Sequence, residues 1–352
     1  MLHHLPTLLA RARFLLGLPG GPPERLDDGE IAPAARAVLA LHEGLIRDRA
    51  LAHAATYDDA RHLGAYLLWW WPQSYAKAQA ALRLLPSLPH APRILDLGAG
   101  PGPAAIAAID MLGGEAVALD ASGAALDEAG HLRVATVRHW RLGPGALPVS
   151  GEFDLVLAAH LLSELPGDRA ALLREIAQHH LAPRGVLLLI EPALRETGRA
   201  LLEVRDALLP HLRAVAPCLT QKPCPALASS KDWCTAEVRW DAPAHVRQLA
   251  DATGLRADER LSFAAVAMSR EAPAPAADAW RVVGIAPPEK GKSRVFVCSD
   301  AGRVAAVRLD RDRAEANAAF DDLGRGDLVE LRGLTPRGDG LRLAKGSTVV
   351  RK

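Results

Sequence analysis

The stretch Arg93-Ile94-Leu95-Asp96-Leu97-Gly98-Ala99-Gly100-Pro101-Gly102 decides how this chain folds. An apolar run of strand character delivers Asp96. Three glycines then alternate through a tight turn, and residues 104–111 read as a helix. Glycine at alternate positions lets the backbone approach a ligand closely, and the first turn of the following helix offers N–H groups with no partner inside the helix. That combination describes a nucleotide-type cofactor site at the carboxyl end of a strand.

Working outward, the flanking segments alternate in the way a doubly wound sheet requires. Strands are expected at residues 94–97, 116–119, 153–159 and 186–190. Helices are expected at 103–111, 124–129, 168–180 and 195–209. The strands are continuous apolar runs, as suits a parallel sheet covered on both faces. Asp120 ends the second strand, 18 positions past Gly102. An acid at that place accepts hydrogen bonds from the ribose hydroxyls of an adenosine cofactor.

The loop is Gly-x-Gly-x-Gly, shorter than the Gly-x-Gly-x-x-Gly of nicotinamide enzymes. With the preceding Leu95-Asp96-Leu97, it resembles motif I of the class I S-adenosylmethionine-dependent methyltransferases. The resemblance implies Asp96, Gly98, Ala99, Gly100 and Gly102 near the methionine portion of S-adenosylmethionine and Asp120 on the ribose. It also implies that His160 lines the pocket. The catalytic side is thinner. After the fourth strand the chain reads Ala158-Ala159-His160-Leu161-Leu162-Ser163-Glu164, without the proline pair and aromatic of amino-group methyltransferases. His160 and Glu164 are the candidate acid/base groups, and whether methyl transfer occurs is left open.

The chain ahead of the sheet reads as helical. Residues 31–47 and 57–71 carry apolar positions at helical spacing, Pro72 is expected to stop or kink the chain, and residues 74–85 form a further helix. Trp69, Trp70 and Trp71 are consecutive and so point about 100° apart on a helix; they are expected to pack in the core rather than to stack on bases. An apolar run at residues 5–18 is interrupted by Arg11 and Arg13, where a signal peptide needs an unbroken core, so a folded helix of a cytosolic protein is expected. No segment is long enough to span a membrane. The formal net charge of +1 on 352 residues excludes a polyanion-binding surface over the whole molecule, so nucleic-acid contact must come from local patches.

The cysteines are Cys218, Cys224, Cys234 and Cys298, spaced C-x5-C-x9-C with 63 residues before the last. There is no Cys-x-x-Cys pair, so neither a zinc ribbon nor a redox motif is present. Four thiols without a spare match a four-cysteine zinc site or a [4Fe–4S] cluster, and spacing alone does not separate them. A methyltransferase-like domain with this Cys-Pro-rich insertion, the Asp232-Trp233-Cys234 element, a later strand cysteine and the Tyr66…Trp71-Pro72…Tyr75 run resembles the methyltransferase-like assembly factors of the mitochondrial small ribosomal subunit and their bacterial relatives. That resemblance implies a [4Fe–4S] cluster on the four cysteines, association with the small ribosomal subunit and its rRNA, and action as a monomer. The alternative is an active rRNA methyltransferase with a structural zinc or iron–sulfur site.

A helix is expected at residues 242–253, closed by Gly254, and the last strands of the sheet at 261–269. Residues 272–279 have linker composition. From Trp280 onward short strands alternate with glycine turns, as in a small β-barrel or OB-like module. This part carries 15 Lys/Arg against 10 Asp/Glu. Lys290, Lys292 and Arg294 are its candidate RNA contacts. The organisation read from sequence is a helical region at 1–90, a methyltransferase-like domain at 91–271 with the cysteine-rich insertion at 215–240, and a β module at 280–352.

Overall fold

The structure, a computed structural model, describes residues 1–47, 54–141, 143, 146–165, 167–271 and 278–352. Positions 272–277 of the expected linker lie outside the described residues.

Three helices open the chain: α1 (Leu5–Leu16), α2 (Asp28–His42) and α3 (Ala60–Leu82). Helix α2 starts in a capping box in which Glu30 reaches back to the Asp27 main-chain N–H at 2.9 Å. Helix α3 starts at Asp59, whose carboxylate accepts from the N–H groups of Arg61 and His62. The arginines that interrupt the first apolar run are anchors. Arg11 makes a bidentate pair with Glu128 at 2.7–2.8 Å, and Arg13 makes a buried one with Glu30 at 2.8–2.9 Å.

Pro72 does not divide α3 as expected; one helix runs through it for 23 residues. A proline there removes the N–H that the Leu68 carbonyl would accept. The ring of buried His245 lies against that carbonyl, and Gln73 Nε2 donates to the neighbouring Trp69 carbonyl at 2.9 Å. Burial of the stripe Leu67, Leu68, Trp71, Tyr75, Ala78 and Leu82 holds the helix together across the missing bond. Trp69 and Trp71 are buried, in keeping with core packing.

The sheet follows: β1 (Arg93–Leu97), α4 (Pro103–Leu112), β2 (Glu115–Asp120), α5 (Gly123–His131), β3 (Thr136–His139), β4 (Phe153–Ala159), α6 (Arg169–His180) and β5 (Leu181–Pro192). The order β3-β2-β1-β4-β5 is parallel throughout, with Asp96 opposite Ala118 on one side and Leu157 on the other. Strand β3 was not expected. It is four residues long, largely exposed at the sheet edge, and lacks the apolar run that marks its neighbours. Next come α7 (Arg195–Leu208), β6 (Arg213–Ala216), β7 (Ala236–Arg239), α8 (Ala244–Thr253), ended by Gly254 at φ +71°, and β8 (Arg260–Ser269), which pairs antiparallel with β6.

The last strands are β9 (Ala279–Ile285), β10 (Lys292–Ser299), β11 (Gly302–Leu309), β12 (Leu328–Arg337) and β13 (Gly340–Arg351). They close a barrel in the order β10-β11-β13-β12-β9, with β11 and β13 parallel. Its core is Val282, Val295, Val297, Val329, Leu331 and Leu343, capped by Phe320 from a short helical segment before β12.

Contacts divide the chain into two compact units. One comprises Met1–Ile190 and Val238–Leu261; the other comprises Glu191–Glu237 and Ser262–Lys352. The N-terminal helices fall in the unit of strands β1 to β4, and residues 215–237 of the cysteine-rich insertion fall in the unit of the barrel. No helix among the described residues is long and apolar enough to cross a membrane.

Candidate functional site

In the first unit, the glycine loop borders a cavity of about 370 Å³, within the range of small-molecule sites. Gly98, Gly100 and Gly102 all have positive φ, at +63°, +53° and +77°. The left-handed backbone at these positions favours glycine, and at Gly98 an added side chain would also displace the Leu161 side chain, 2.5 Å away. The loop is pinned to the end of β2: Ala99 N–H donates to the Leu119 carbonyl at 3.0 Å and Gly100 N–H to Asp120 Oδ2 at 2.7 Å. From behind, the Trp71 indole N–H donates to the Pro101 carbonyl at 3.1 Å.

Asp96, Gly98, Ala99, Gly100, Asp120, His160 and Glu164 all line this cavity; Gly102 caps α4 at its edge. Asp96 is 1% exposed. Its Oδ2 accepts from Ala105 N–H at 3.0 Å while Oδ1 has no partner, and burial pushes the carboxyl up to about 8. His160 takes a left-handed backbone (φ +60°) with its N–H bonded to the Ile190 carbonyl. Burial, with the Lys77 charge nearby, drops its imidazole to about 3, and Nδ1 has no partner. Desolvation and the Asp120 charge raise Glu164 to about 7.

The cavity is also lined by Tyr57, Tyr66, Ser74, Trp140 and Arg141, of which sequence reading quoted only Tyr66, as part of the Tyr66…Tyr75 run and not as a site residue. Tyr57 meets Tyr66 edge-to-face at 5.1 Å, and Trp70 lies parallel to Tyr66 at 6.4 Å. Their signal was the four-residue spacing of Tyr66, Trp70 and Ser74 on one helix, which the tryptophan run obscured.

The four cysteines are free thiols and line one cavity in the second unit, with Arg205, Arg281 and Arg303. Burial raises every thiol, and for Cys224, Cys234 and Cys298 the proximity of Cys218 adds to it. The sulfurs do not form a tight knot. Among the described residues, the trio of ligand atoms within 4.8 Å of one another is His3, His4 and Asp110, and no three cysteines qualify. A tetrahedral zinc with ~2.3 Å bonds needs sulfurs ~3.8 Å apart. Four thiolates each on a separate iron of a cubane sit wider. Four thiols lining one cavity are a donor set that zinc and iron–sulfur sites share.

Arginines hold this lining in place. Arg205 donates to the carbonyls of Thr220 and Lys222, and Arg281 Nε to that of Pro217 at 3.0 Å. Asp206 accepts from Cys224 N–H at 2.8 Å. Thr220 and Lys222 both reach Asp300, just past Cys298, at 2.9–3.0 Å. On the barrel, Lys292 and Arg294 pair with Glu289, and the guanidiniums of Arg294 and Arg303 flank the Phe296 ring at 5.9 and 5.5 Å. Lys290 is exposed beside them.

Residues 60–328 match the family model described as mitochondrial small ribosomal subunit Rsm22. A search of curated proteins finds no match. Similar solved structures include the putative methyltransferase complexed with the Trm112 activator of Haloferax volcanii (18% identity, 63% of this chain and 97% of that one, TM-score 0.39). A TehB-like S-adenosylmethionine-dependent methyltransferase of Corynebacterium glutamicum shares 15% identity over 56% of this chain and 88% of its own, with TM-score 0.34. A ribosomal protein L11 methylase of Lactobacillus delbrueckii shares 18% over 57% and 78%, with TM-score 0.30.

Proposed function

The chain belongs to the Rsm22 family of the mitochondrial small ribosomal subunit, and from that membership we propose that it is an assembly factor of the small ribosomal subunit. In this reading it binds rRNA in the cytosol as a single chain, holds S-adenosylmethionine in the glycine-loop cavity and carries a [4Fe–4S] cluster on Cys218, Cys224, Cys234 and Cys298. One observation carries the proposal: a single chain of this family has two built cavities, one lined by Asp96, the glycine loop and Asp120, the other by all four cysteines.

In this reading Asp120, which lines the cavity, accepts from the ribose hydroxyls. Trp140 and the Tyr57–Tyr66 wall exclude water from an aromatic moiety. When bound, S-adenosylmethionine would supply an activated methyl group and the cluster would supply four covalent tethers across the insertion and strand β10. The residues favour holding over transfer. His160 is neutral, and its Nδ1 has no orienting partner. Glu164 favours the second reading, active rRNA methylation, because a carboxyl near 7 suits a general base. Arg294 and Arg303 beside the Phe296 ring, with Lys290 and Lys292 at the neighbouring turn, support a phosphate-contacting surface.

The test is to incubate the protein and radiolabelled S-adenosylmethionine with small subunits from a deletion strain. Co-sedimentation with the particles, cofactor binding and no label transferred is the expected result. Transfer of label would establish the methyltransferase reading, and failure to co-sediment would defeat both.

A further inference from the structure

Asp110 lies near the C-terminal end of α4, and three side chains converge on its Oδ2 atom. His4 Nε2 lies 2.7 Å from it and the Tyr75 hydroxyl 2.5 Å, both as hydrogen bonds, and His3 Nε2 stands 3.3 Å away as an ion-pair neighbour. The two hydrogen bonds match the two lone pairs of that oxygen, and His3 is brought in beside them. The two imidazoles are neighbours in a short helical turn, Leu2–His4, with ring centroids 3.9 Å apart. Their Nε2 atoms and the carboxylate oxygen all lie within 4.8 Å of one another.

We propose that His3, His4 and Asp110 form a binding site for a divalent first-row transition cation of the zinc class. Bonds of ~2.1 Å at angles of 90–110° place adjacent ligand atoms ~3.0–3.4 Å apart. The observed 2.7 and 3.3 Å need adjusting by only a few tenths of an ångström. Two imidazoles with one carboxylate select zinc, nickel or copper(II) over magnesium and calcium, which prefer all-oxygen sites. A cation bound by both imidazole lone pairs and Oδ2 would take the place of the His4 hydrogen bond, leaving the Tyr75 hydroxyl as the carboxylate's outer hydrogen bond.

The surroundings are built to hold the ligands. His4 is 4% exposed and lies edge-on to Trp71 at 6.0 Å and Tyr75 at 5.9 Å. Tyr75 stacks on Trp71 at 5.3 Å and accepts from Gln79 at 3.1 Å. The His3 side chain is 56% exposed, so the cation has a solvent side for water ligands. Its occupancy would tie the start of the chain to α3 and α4. The site shares no residue with the glycine-loop cavity or the cysteines.

The experiment compares the full-length protein with the His3→Ala and Asp110→Asn variants, titrated with zinc and with cobalt(II) as a spectroscopic probe. His3→Ala removes one ligand from an exposed position and should leave the metal-free melting temperature unchanged. The wild type should bind one more equivalent of zinc than either variant and melt higher with zinc present. Its cobalt difference spectrum against His3→Ala should show weak visible d–d bands without sulfur-to-metal charge transfer, which sets the site apart from the cysteines. Equal stoichiometry and equal zinc-induced melting shifts in wild type and His3→Ala would overturn the proposal and leave a hydrogen-bonded cluster only. If His3→Ala melts lower without metal, His3→Asn decides the same comparison.

Discussion

The indole N–H of Trp71 donates to the main-chain carbonyl of Pro101 at 3.1 Å, so a tryptophan of α3 supports the turn that lines the glycine-loop cavity. Trp71 is fully buried, and replacing it with phenylalanine removes the donor while keeping most of the ring. We expect Trp71→Phe to cost about 1 kcal/mol of stability and to weaken S-adenosylmethionine binding severalfold, read by chemical denaturation and calorimetric titration. Unchanged affinity would show that the turn holds its shape without this bond.

Asp120 both borders the cavity and holds Gly100 through a 2.7 Å hydrogen bond. Asp120→Ala is therefore expected to lower S-adenosylmethionine affinity at least tenfold, by loss of a charge-assisted hydrogen bond worth about 1.5–3 kcal/mol. Circular dichroism should show the fold retained. Wild-type affinity in a folded Asp120→Ala protein would remove the ribose role.

Asp96 gives a pH dependence of defined sign. Its carboxyl is raised from 3.8 to about 8 by burial, so the folded chain holds a proton that the unfolded chain releases. The associated stability is complete below about pH 4 and is lost as pH rises through about 8. Ligand-free wild type should lose stability on the order of a few kcal/mol across that window. The Asp96→Asn variant should lose less, measured as urea midpoints at pH 5, 7 and 8. Parallel profiles for the two proteins would contradict this.

The buried Arg13–Glu30 pair ties α1 to α2. Glu30→Gln leaves a buried guanidinium without its counter-charge and should destabilise the protein by about 3–5 kcal/mol. The double substitution Arg13→Met with Glu30→Leu should recover much of the loss. A double variant no more stable than the single one would show that these side chains matter for shape rather than charge.

The residues 93–102 made the sheet and the glycine turn at its edge legible, because strand, turn and helix each carry a local chemical requirement. The parallel sheet, though not its strand order, and the small β-barrel followed from apolar runs and glycine turns. Other features depended on contacts that no local pattern encodes. Pro72 reads as a break, yet α3 runs through it because the helix buries a long apolar stripe. Strand β3 is short and exposed, so only its pairing with β2 identifies it. Arg205 reads as one basic residue of a surface helix, whereas it is fully buried and donates to the carbonyls of Thr220 and Lys222. The four cysteines were legible as a set. Their placement around one cavity required the insertion and strand β10 to come together.

Iron and acid-labile sulfide analysis of anaerobically purified protein, alongside Cys224→Ser, tests the proposed two-site assembly factor most directly. About four iron and four sulfide per chain with broad visible absorption, and loss of both in Cys224→Ser, is the predicted result. Colourless protein with one zinc, or a Cys224→Ser variant unchanged in metal content and stability, would contradict it.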